Sequence, residues 1–411
     1  MTTPITELID SSPELEVVAG VDTHADTHHV AVLSVTGARL GDLQVPATTG
    51  GYEQLLAFIR SFGTTRLVGI EGTSSYGAGL ARYLMSQEVE IREIVRPRRA
   101  QRRHGKSDPI DAYAAAAQTL AEPETLPMAK TGDGVIEQIR VLLAVRRSAI
   151  KARVAVIRQI KSMLITAPEA IRSRWEGLNE RCLVESLAST RPGPATGSVT
   201  TATGHALRRL ARRHQYLTVE ITELEDELRI LVGRAAPAMI ARKGYGVITT
   251  ATLLVTAGAN PERLRSEASF AALCGASPIP ASSGKTNRYR LNRGGDRQAN
   301  WALHQIALGR LSNEERTQNY AGRLRANGKS KKDVLRCLKR AIAREAFHLI
   351  VHPEPVPATE DLRDLRHQRG ATLVQAAMNI GAEPARLSEL ERGKRPNAEL
   401  TTAYRAWLTA A

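Results

Sequence analysis

The sequence predicts a mixed α/β domain at the N-terminus, followed by a mainly helical remainder. From Glu16, short runs of β-branched residues separated by turn residues indicate strands. From about residue 134, apolar residues recur at helical spacing with Arg and Lys between them. A Pro-rich break, VHPEPVPATED, precedes a last compact helical pattern. A chain of 411 residues is long enough for roughly two to four domains.

The first domain, over residues 15–127, begins with three strands: EVVAGVD, HHVAVLSV and ARLGDLQVPA. A helix (YEQLLAFIRSF), a strand (RLVGIEG), a helix (GAGLARYLMSQ), a strand (EIREIVR) and a helix from Asp108 follow. A strand meander followed by alternating helices and strands describes an α/β sheet, and this order resembles the RNase H-like (RuvC-like) fold. Residues 1–14 are polar and form a loose N-terminus.

Residues 128–235 predict two long helices, VIEQIRVLLAVRRSAIKARVAVIRQIKSMLI and ALRRLARRHQYLTVEITELEDELRILVGRAA. The segment STRPGPATGSVTTATG between them is predicted to be a loop. The two helices can pair as an antiparallel hairpin or as a coiled coil between subunits, or simply pack on their own domain.

Residues 236–350 predict a further, mainly helical unit. ARKGYGVITTATLLVTAG places a Gly-x-Gly turn before an apolar helix. This resembles a helix-hairpin-helix element, whose turn amides can contact a DNA phosphate, although a plain helix N-terminus gives the same pattern. The unit ends in a basic loop and a basic amphipathic helix that carries Lys331 and Lys332 at its start.

Beyond the linker at 351–361, residues 362–411 resemble a Cro/repressor-type helix-turn-helix. TLVQAAMN would be its first helix, IGAEP the turn and ARLSELERGK the recognition helix. Arg386, Ser388 and Arg392 would then lie near a major groove or its phosphates. A helical module that contacts protein is the alternative.

The charge balance favours a polyanionic partner. The chain has 57 Lys and Arg against 42 Asp and Glu, a net charge of +15, which favours nucleic acid. Aromatic residues make up only 4%, so phosphate contacts are expected rather than base stacking. Three cysteines without CxxC spacing disfavour a zinc site or disulfide framework. The absence of an apolar leader or a membrane-length apolar run predicts a cytoplasmic protein. With DNA as its partner, it is expected to be nucleoid-associated in a bacterial cell when active.

Four acids occupy positions that suit a metal site. Asp22 and Glu71 each end an apolar strand, and Asp108 and Asp111 lie three residues apart at the start of a helix. Converging carboxylates repel one another unless cations neutralise them, and their oxygens suit Mg²⁺ or Mn²⁺. Two such ions can clamp a scissile phosphate. Taken singly, Asp108 is also explained as a helix N-terminal charge and Asp22 as a turn residue. His24, His28 and His29 are interpreted as strand residues outside the ligand set.

A loop of small residues, GASPIPASSGKTNRYRLNRGGD, offers a candidate nucleophile. Ser282 and Ser283 precede Gly284, which allows close backbone approach. A hydroxyl needs activation and neutralised phosphate charge before it can attack. Residues whose cationic side chains can bind phosphate follow the glycine along the chain: Lys285, Arg288, Arg290, Arg293 and Arg297. A solvated turn is the alternative, and the residues themselves do not separate Ser282 from Ser283.

Five separated blocks resemble the DEDD-type transposases of the insertion-sequence one-ten family, over residues of about 16–350. They are GVDTHADTH, GIEGTSSYG, KSDPIDA, FAALCGASPIPASSGKTNRYRLNRGGDRQANWALH and RANGKSKKDVLRCLKRAIAREAF. The resemblance implies a RuvC-like nuclease domain whose Asp22, Glu71, Asp108 and Asp111 bind Mg²⁺. It implies that Ser283, directly before the glycine, attacks DNA to form a covalent phosphoserine link.

The resemblance also implies partners. The RuvC-like domain of one subunit would be completed by the serine domain of another, in a dimer or tetramer. A structured bridge RNA from the element would pair with donor and target DNA. The family pattern ends near residue 350, so the tail is a departure; if it reads DNA, part of target recognition rests on protein. Two alternatives stay open: a RuvC-like metal-dependent junction nuclease without serine chemistry, and a non-catalytic DNA-binding regulator.

Overall fold

A computed structural model describes residues 15–94, 107–280, 289–290, 292, 294–394 and 397–410. The chain divides into two compact units. The first comprises the residues up to Asp133 together with Gly258–Arg263, and the second comprises the remainder. No helix in the described part of the chain has the length and apolar character needed to cross a membrane.

The first unit is built on a mixed five-stranded sheet in the order β3-β2-β1-β4-β5. The first three strands form an antiparallel meander, whereas β4 and β5 run parallel to β1. This α/β topology is consistent with the RNase H-like fold, as predicted. The elements are β1 (Glu16–Thr23), β2 (Thr27–Ser34), β3 (Arg39–Pro46), α1 (Thr49–Arg60), β4 (Thr64–Glu71), α2 (Ala78–Ser86), β5 (Ile91–Ile94) and α3 (Asp108–Ala121).

The two faces of this sheet carry different helices. On one face Val17, Ala19 and Val21 of β1 share an apolar core with residues of α1 and α2. The other face packs against α3, which contacts β1, β2 and β4. Because side chains alternate along a strand, Gly20 and Asp22 of β1 lie on the α3 face. The sheet therefore holds its apolar core on one side and the acidic residues on the other.

The second unit begins with two long helices, α4 (Gly134–Ile165) and α7 (Val199–Ala235). They pack antiparallel in one chain: Ile139 and Val232 lie in one core cluster, and Ile160 and Leu207 lie in another. Two short helices between them, α5 (Glu169–Trp175) and α6 (Glu180–Ser189), cover the far end.

The predicted loop between the long helices is too long. It spans residues 189–204, but α7 already begins at Val199. A reciprocal capping box between Ser198 and Thr201 satisfies the first amides of the helix, so the helix starts inside the predicted loop.

A compact helical body follows, in which a shared apolar core joins one end of the long helix pair to the later helices. Its elements are α8 (Pro237–Ala241), α9 (Val247–Ala257), a 3-10 turn (Pro261–Arg263, which belongs to the first unit), α10 (Glu267–Leu273), β6 (Ile279–Pro280), β7 (Tyr289–Arg290), α11 (Arg297–Asn313), α12 (Glu315–Ala326) and α13 (Lys331–Val351).

Four short helices form the C-terminal module around a small apolar core: α14 (Leu362–Gln368), α15 (Leu373–Ile380), α16 (Pro384–Glu391) and α17 (Ala398–Thr409). Gly381 ends α15 in the left-handed region (φ 64°), which lets the chain turn directly into α16. Arg366 donates two hydrogen bonds to Glu391, at 2.8 and 3.0 Å, and Tyr404 donates a third at 2.8 Å. Burial alone would raise the pKa of Glu391, but these bonds outweigh it and lower the pKa.

Candidate functional site

Parallel strand pairing brings two of the predicted acids to one edge of the sheet. Val21 of β1 is paired with Ile70 of β4, so the next residues, Asp22 and Glu71, follow side by side. Asp22 is 2% exposed and Glu71 is half-buried. The Thr23 hydroxyl donates to the Glu71 carbonyl at 2.8 Å, which ties the two strand ends together.

Two glycines let α3 lie directly on these strands. Gly20 and Gly69 are paired across β1 and β4, and each precedes an acid by two positions. A Cβ atom at Gly20 would overlap Ala116 N and lie 2.5 Å from Ala112 O. One at Gly69 would overlap the Thr119 hydroxyl of α3 and would lie 2.8 Å from Ile94 Cδ1 of β5. Real Cβ atoms do not approach so closely, so side chains here would push α3 away from the sheet.

The close approach of α3 determines where the other two acids lie. Asp108 and Asp111 occupy its first turn, and both are half-buried. Asp108 lies beside the end of β1: its Oδ1 atom is 3.4 Å from His24 Nε2, which is itself 3.3 Å from Asp22 Oδ2. A negative charge at this position also suits the helix dipole. The α3 N-terminus thus delivers a carboxylate to the edge that holds Asp22.

The structure adds a residue that the sequence interpretation left out. Asp22, His24 and Asp108 each offer a ligand atom, and these atoms all lie within 4.8 Å of one another. Glu71 and Asp111 are not members of this tight group, which is the one such group among the described residues. His24 was missed because its position depends on the turn after β1, where its amide donates to Thr27 O at 3.0 Å.

The donor set fits a divalent metal ion. Asp22 Oδ2 and His24 Nε2 are buried atoms without a hydrogen-bond partner. Buried polar atoms almost always have a hydrogen-bond partner, so two neighbouring potential ligand atoms without one suit a bound ion. Carboxylate oxygens suit Mg²⁺ or Mn²⁺, and an imidazole nitrogen shifts the preference towards softer ions.

The neighbouring histidines make structural contacts instead. His28 is fully buried and stacks on Tyr52, with ring centroids 5.7 Å apart. Burial lowers the pKa of His28, although a hydrogen bond to Thr27 O opposes the shift. His29 Nε2 is hydrogen-bonded to Asp42 at 2.8 Å, and Tyr113 of α3 donates to the same carboxylate at 3.2 Å. This bridge from β2 through β3 to α3 helps to keep α3 in place.

The predicted nucleophile lies outside the described residues, together with Ser282, Lys285, Arg288 and Arg293; Ser283 itself falls between β6 and β7. The base of this hairpin is defined, because Ile279 pairs with Arg290 and Pro280 with Tyr289. Arg290 is exposed in β7, and Arg297 is exposed as the first residue of α11.

The remaining predicted nucleic-acid contacts lie at helix ends. Lys331 and Lys332 are exposed at the start of α13, after the Ser330 cap. Arg386 in α16 is half-buried and 3.4 Å from Glu389. Arg392 is exposed, and its Nε donates to Ser388 O at 3.0 Å.

The Gly-x-Gly turn at Gly244 and Gly246 is stabilised by Arg310, a residue that the sequence analysis does not identify. Arg310 is 9% exposed and donates to Lys243 O at 2.8 Å. It also binds both oxygens of Glu345, at 2.7 and 2.9 Å. Arg310 lies 67 residues from Lys243, so no local pattern reveals the contact. It fixes the backbone between α8 and α9.

The α/β sheet carries an acidic group at its strand edge that can hold a divalent metal, and the same chain has a basic helical body that suits nucleic acid. Two family models match in succession. Residues 19–167 match the transposase model of the DEDD type of IS110, and residues 239–321 match the transposase IS116/IS110/IS902 family. Together the matches cover more than half of the chain. The chain belongs to the IS110 family of insertion-sequence transposases.

A curated relative agrees with this assignment. The uncharacterized 42 kDa protein of insertion element IS900 from Mycobacterium paratuberculosis is 24% identical over 400 residues. That match spans 83% of this chain and 98% of the relative. Transposases bind DNA, and DEDD transposases typically use a divalent metal.

Proposed function

We propose that this transposase cleaves and rejoins DNA with a Mg²⁺-dependent RuvC-like site and a nucleophilic serine, Ser283. The observation that carries the proposal is the meeting of Asp22, His24 and Asp108 beside the strand end that bears Glu71. Oxygen-rich sites of this kind hold the metal ions that assist phosphodiester cleavage.

Asp22, Glu71, Asp108 and Asp111 would hold the metal, with His24 beside them. When bound, Mg²⁺ or Mn²⁺ supplies positive charge that stabilises the reacting phosphate and the leaving oxygen. The chain's own contribution is orientation: β1, β4 and α3 fix the carboxylates before DNA arrives, so little reorganisation is needed at the moment of reaction.

Ser283 would attack the phosphorus atom of one strand. A bond forms between Ser283 Oγ and phosphorus, and the bond from phosphorus to the deoxyribose oxygen breaks. The hydroxyl proton leaves Oγ and protonates the departing deoxyribose oxygen. Rejoining reverses these steps with a new deoxyribose hydroxyl as nucleophile. Lys285, Arg288, Arg290, Arg293 and Arg297 would neutralise phosphate charge around the serine.

Partners extend the proposal. A homo-oligomer, dimer or tetramer, would bring the serine of one subunit to the acidic site of another, and an element-encoded RNA would guide target choice. The net charge of +15 supports binding of nucleic acid. In the C-terminal module, α15, the Gly381 turn and α16 support a helix-turn-helix, with Arg386 and Arg392 near DNA.

The test is a denaturant-resistant protein–DNA adduct. Purified protein is incubated with Mg²⁺, element-junction DNA carrying a label, and RNA from the element's flank. We expect an adduct that Ser283→Ala abolishes and that Ser282→Ala, the matched neighbour, retains. Asp108→Asn should abolish the adduct, whereas Asp26→Asn, which removes an exposed acid four residues after Asp22, should not. Strand cleavage that persists in Ser283→Ala without an adduct would leave a metal-dependent nuclease instead.

A further inference from the structure

A basic pocket of about 550 Å³ lies in the second unit, between the segment 275–278 and one face of α13. It borders the hairpin base, because Arg290 of β7 lines it. Its cationic lining consists of Arg290, Lys329, Arg336, Lys339, Arg340 and Arg344. Its less polar lining residues include Ala276, Pro278 and Tyr320. Such a lining suits an anion attached to an apolar group.

The positive charge of the pocket is only partly offset. Asp333 is its one acidic lining residue, and it already accepts from Ser330 at 2.6 Å and from Arg336 at 2.8 Å. Arg344 pairs with Glu267 outside the pocket lining, at 3.0 Å. Within the described ranges, Lys339 and Arg290 have no carboxylate at ion-pair distance. An anion entering the pocket would find charge that the fold leaves unmatched.

Lys339, one of the lining residues, is oriented by Asn300. Its Nζ donates to Asn300 Oδ1 at 2.9 Å, and Asn300 Nδ2 donates to Cys274 O and Gly275 O, each at 3.0 Å. Burial, together with the charge of Arg336, lowers the pKa of Lys339. One asparagine therefore fixes both the ammonium group and the turn that leads into β6.

We propose that this pocket binds a backbone phosphate of one DNA strand beside the β6–β7 pair, with Lys339 as the central phosphate ligand. The choice of DNA rests on the proposed function, because Ser283, the proposed nucleophile, is three residues beyond Pro280 of β6 and so at most about 10 Å of chain from it. The volume exceeds that of a single phosphate, and the apolar lining residues suit the sugar that a phosphodiester carries.

The first experiment measures duplex DNA affinity of the full chain in EDTA, without RNA, as a function of salt. We expect Lys339→Gln to weaken binding about tenfold, as for loss of one charge-assisted hydrogen bond. The slope of log affinity against log salt should fall by about 0.9, the value for one phosphate contact. Lys161→Gln is the matched control, because Lys161 is exposed on α4 and already 3.4 Å from Glu180. An unchanged affinity and slope in Lys339→Gln would overturn the proposal.

The second experiment uses the native thiols and needs no variant, so it remains informative if Lys339→Gln folds poorly. Cys337 lines the pocket, Cys182 is exposed elsewhere, and Cys274 is buried. Burial raises the pKa of Cys274 to about 12, so this thiol stays protonated and inert at neutral pH. We expect duplex DNA to slow alkylation of Cys337 by an uncharged maleimide about tenfold and to leave Cys182 unchanged.

Each other outcome of the labelling decides against the proposal. Equal protection by inorganic phosphate at the same concentration would make the pocket a free-phosphate site. Protection by RNA but not by DNA would assign it to RNA, and no protection would leave it without a nucleic-acid role. Because both experiments run in EDTA without strand cleavage, they stand even if the adduct assay gives no covalent product.

Discussion

The acidic edge of the first unit and the basic pocket of the second concentrate opposite charges by different means. At the acidic edge, strand register and two glycines bring together the carboxylates of Asp22 and Asp108, which are far apart in the sequence. In the basic pocket, one face of α13 supplies cations and Asn300 orients one of them. The carboxylates at the acidic edge repel one another, and so do the cations in the basic pocket. Each region is therefore stabilised by a bound ion of opposite charge. We expect metal to satisfy the first and phosphate the second.

The largest effect should come from removing an acid at the edge. Asp22→Asn should lower DNA cleavage by about 10³-fold, because loss of metal-ion stabilisation costs several kcal/mol in the transition state. Affinity for duplex DNA measured in EDTA should stay within about twofold of wild type, since the edge does not provide phosphate contacts in the absence of metal. If Asp22→Asn lowered duplex DNA affinity as much as DNA cleavage, the acidic edge would contribute to DNA binding, and the two regions would not have separate roles.

The glycine beneath α3 should show the next largest effect. Gly20→Ala forces α3 away from β1 and moves Asp108 from Asp22, so cleavage should fall by about 10²-fold, as for an ångström-scale misplacement. Overpacking should also lower the free energy of unfolding by about 1–3 kcal/mol. Thermal melting and cleavage kinetics measure the two effects.

Gly50→Ala is the matched control for this substitution. Gly50 lies in α1, where an added Cβ would meet nothing within 4 Å. Alanine there should raise stability by about 0.5–1 kcal/mol and leave cleavage unchanged. Equal activity in Gly20→Ala and Gly50→Ala would mean that α3 does not position the acids.

A substitution at Asn300 should have a smaller effect, because it adds a negative charge to the basic pocket instead of removing one from the acidic edge. Asn300→Asp places a carboxylate against Lys339 Nζ and removes the donors to Cys274 O and Gly275 O. We expect DNA affinity to fall about threefold to tenfold, with a reduced salt slope, because the ammonium charge is now offset internally. Asn300→Ala should lower stability but keep the slope, and an unchanged slope in Asn300→Asp would argue against a free charge on Lys339.

Sequence alone predicts the acidic edge better than the basic pocket, for a physical reason. Asp22 and Glu71 end adjacent parallel strands, and such ends meet at one edge whatever the details of packing. The sequence does not predict the role of His24, because the position of its side chain depends on the turn between β1 and β2. Lys339 and Asn300 are 39 positions apart on two helices, and only tertiary packing brings them together. The long helices were predictable from periodicity, whereas the start of α7 needed the capping box at Ser198.

The smallest expected effect concerns His24, and it tests how far the acidic edge depends on oxygen ligands alone. Nitrogen ligands favour Mn²⁺ over Mg²⁺, so His24→Ala should weaken Mn²⁺ binding about tenfold and Mg²⁺ binding less. Electron paramagnetic resonance titration of Mn²⁺ measures the first, and cleavage in each metal gives the ratio. His24→Gln, which keeps a polar group of similar size, should recover Mg²⁺-supported cleavage but not the Mn²⁺ affinity. If both variants bind Mn²⁺ as tightly as the wild type, His24 is not a metal ligand. The carboxylates alone would then hold the metal, and His24 would only separate Asp22 from Asp108.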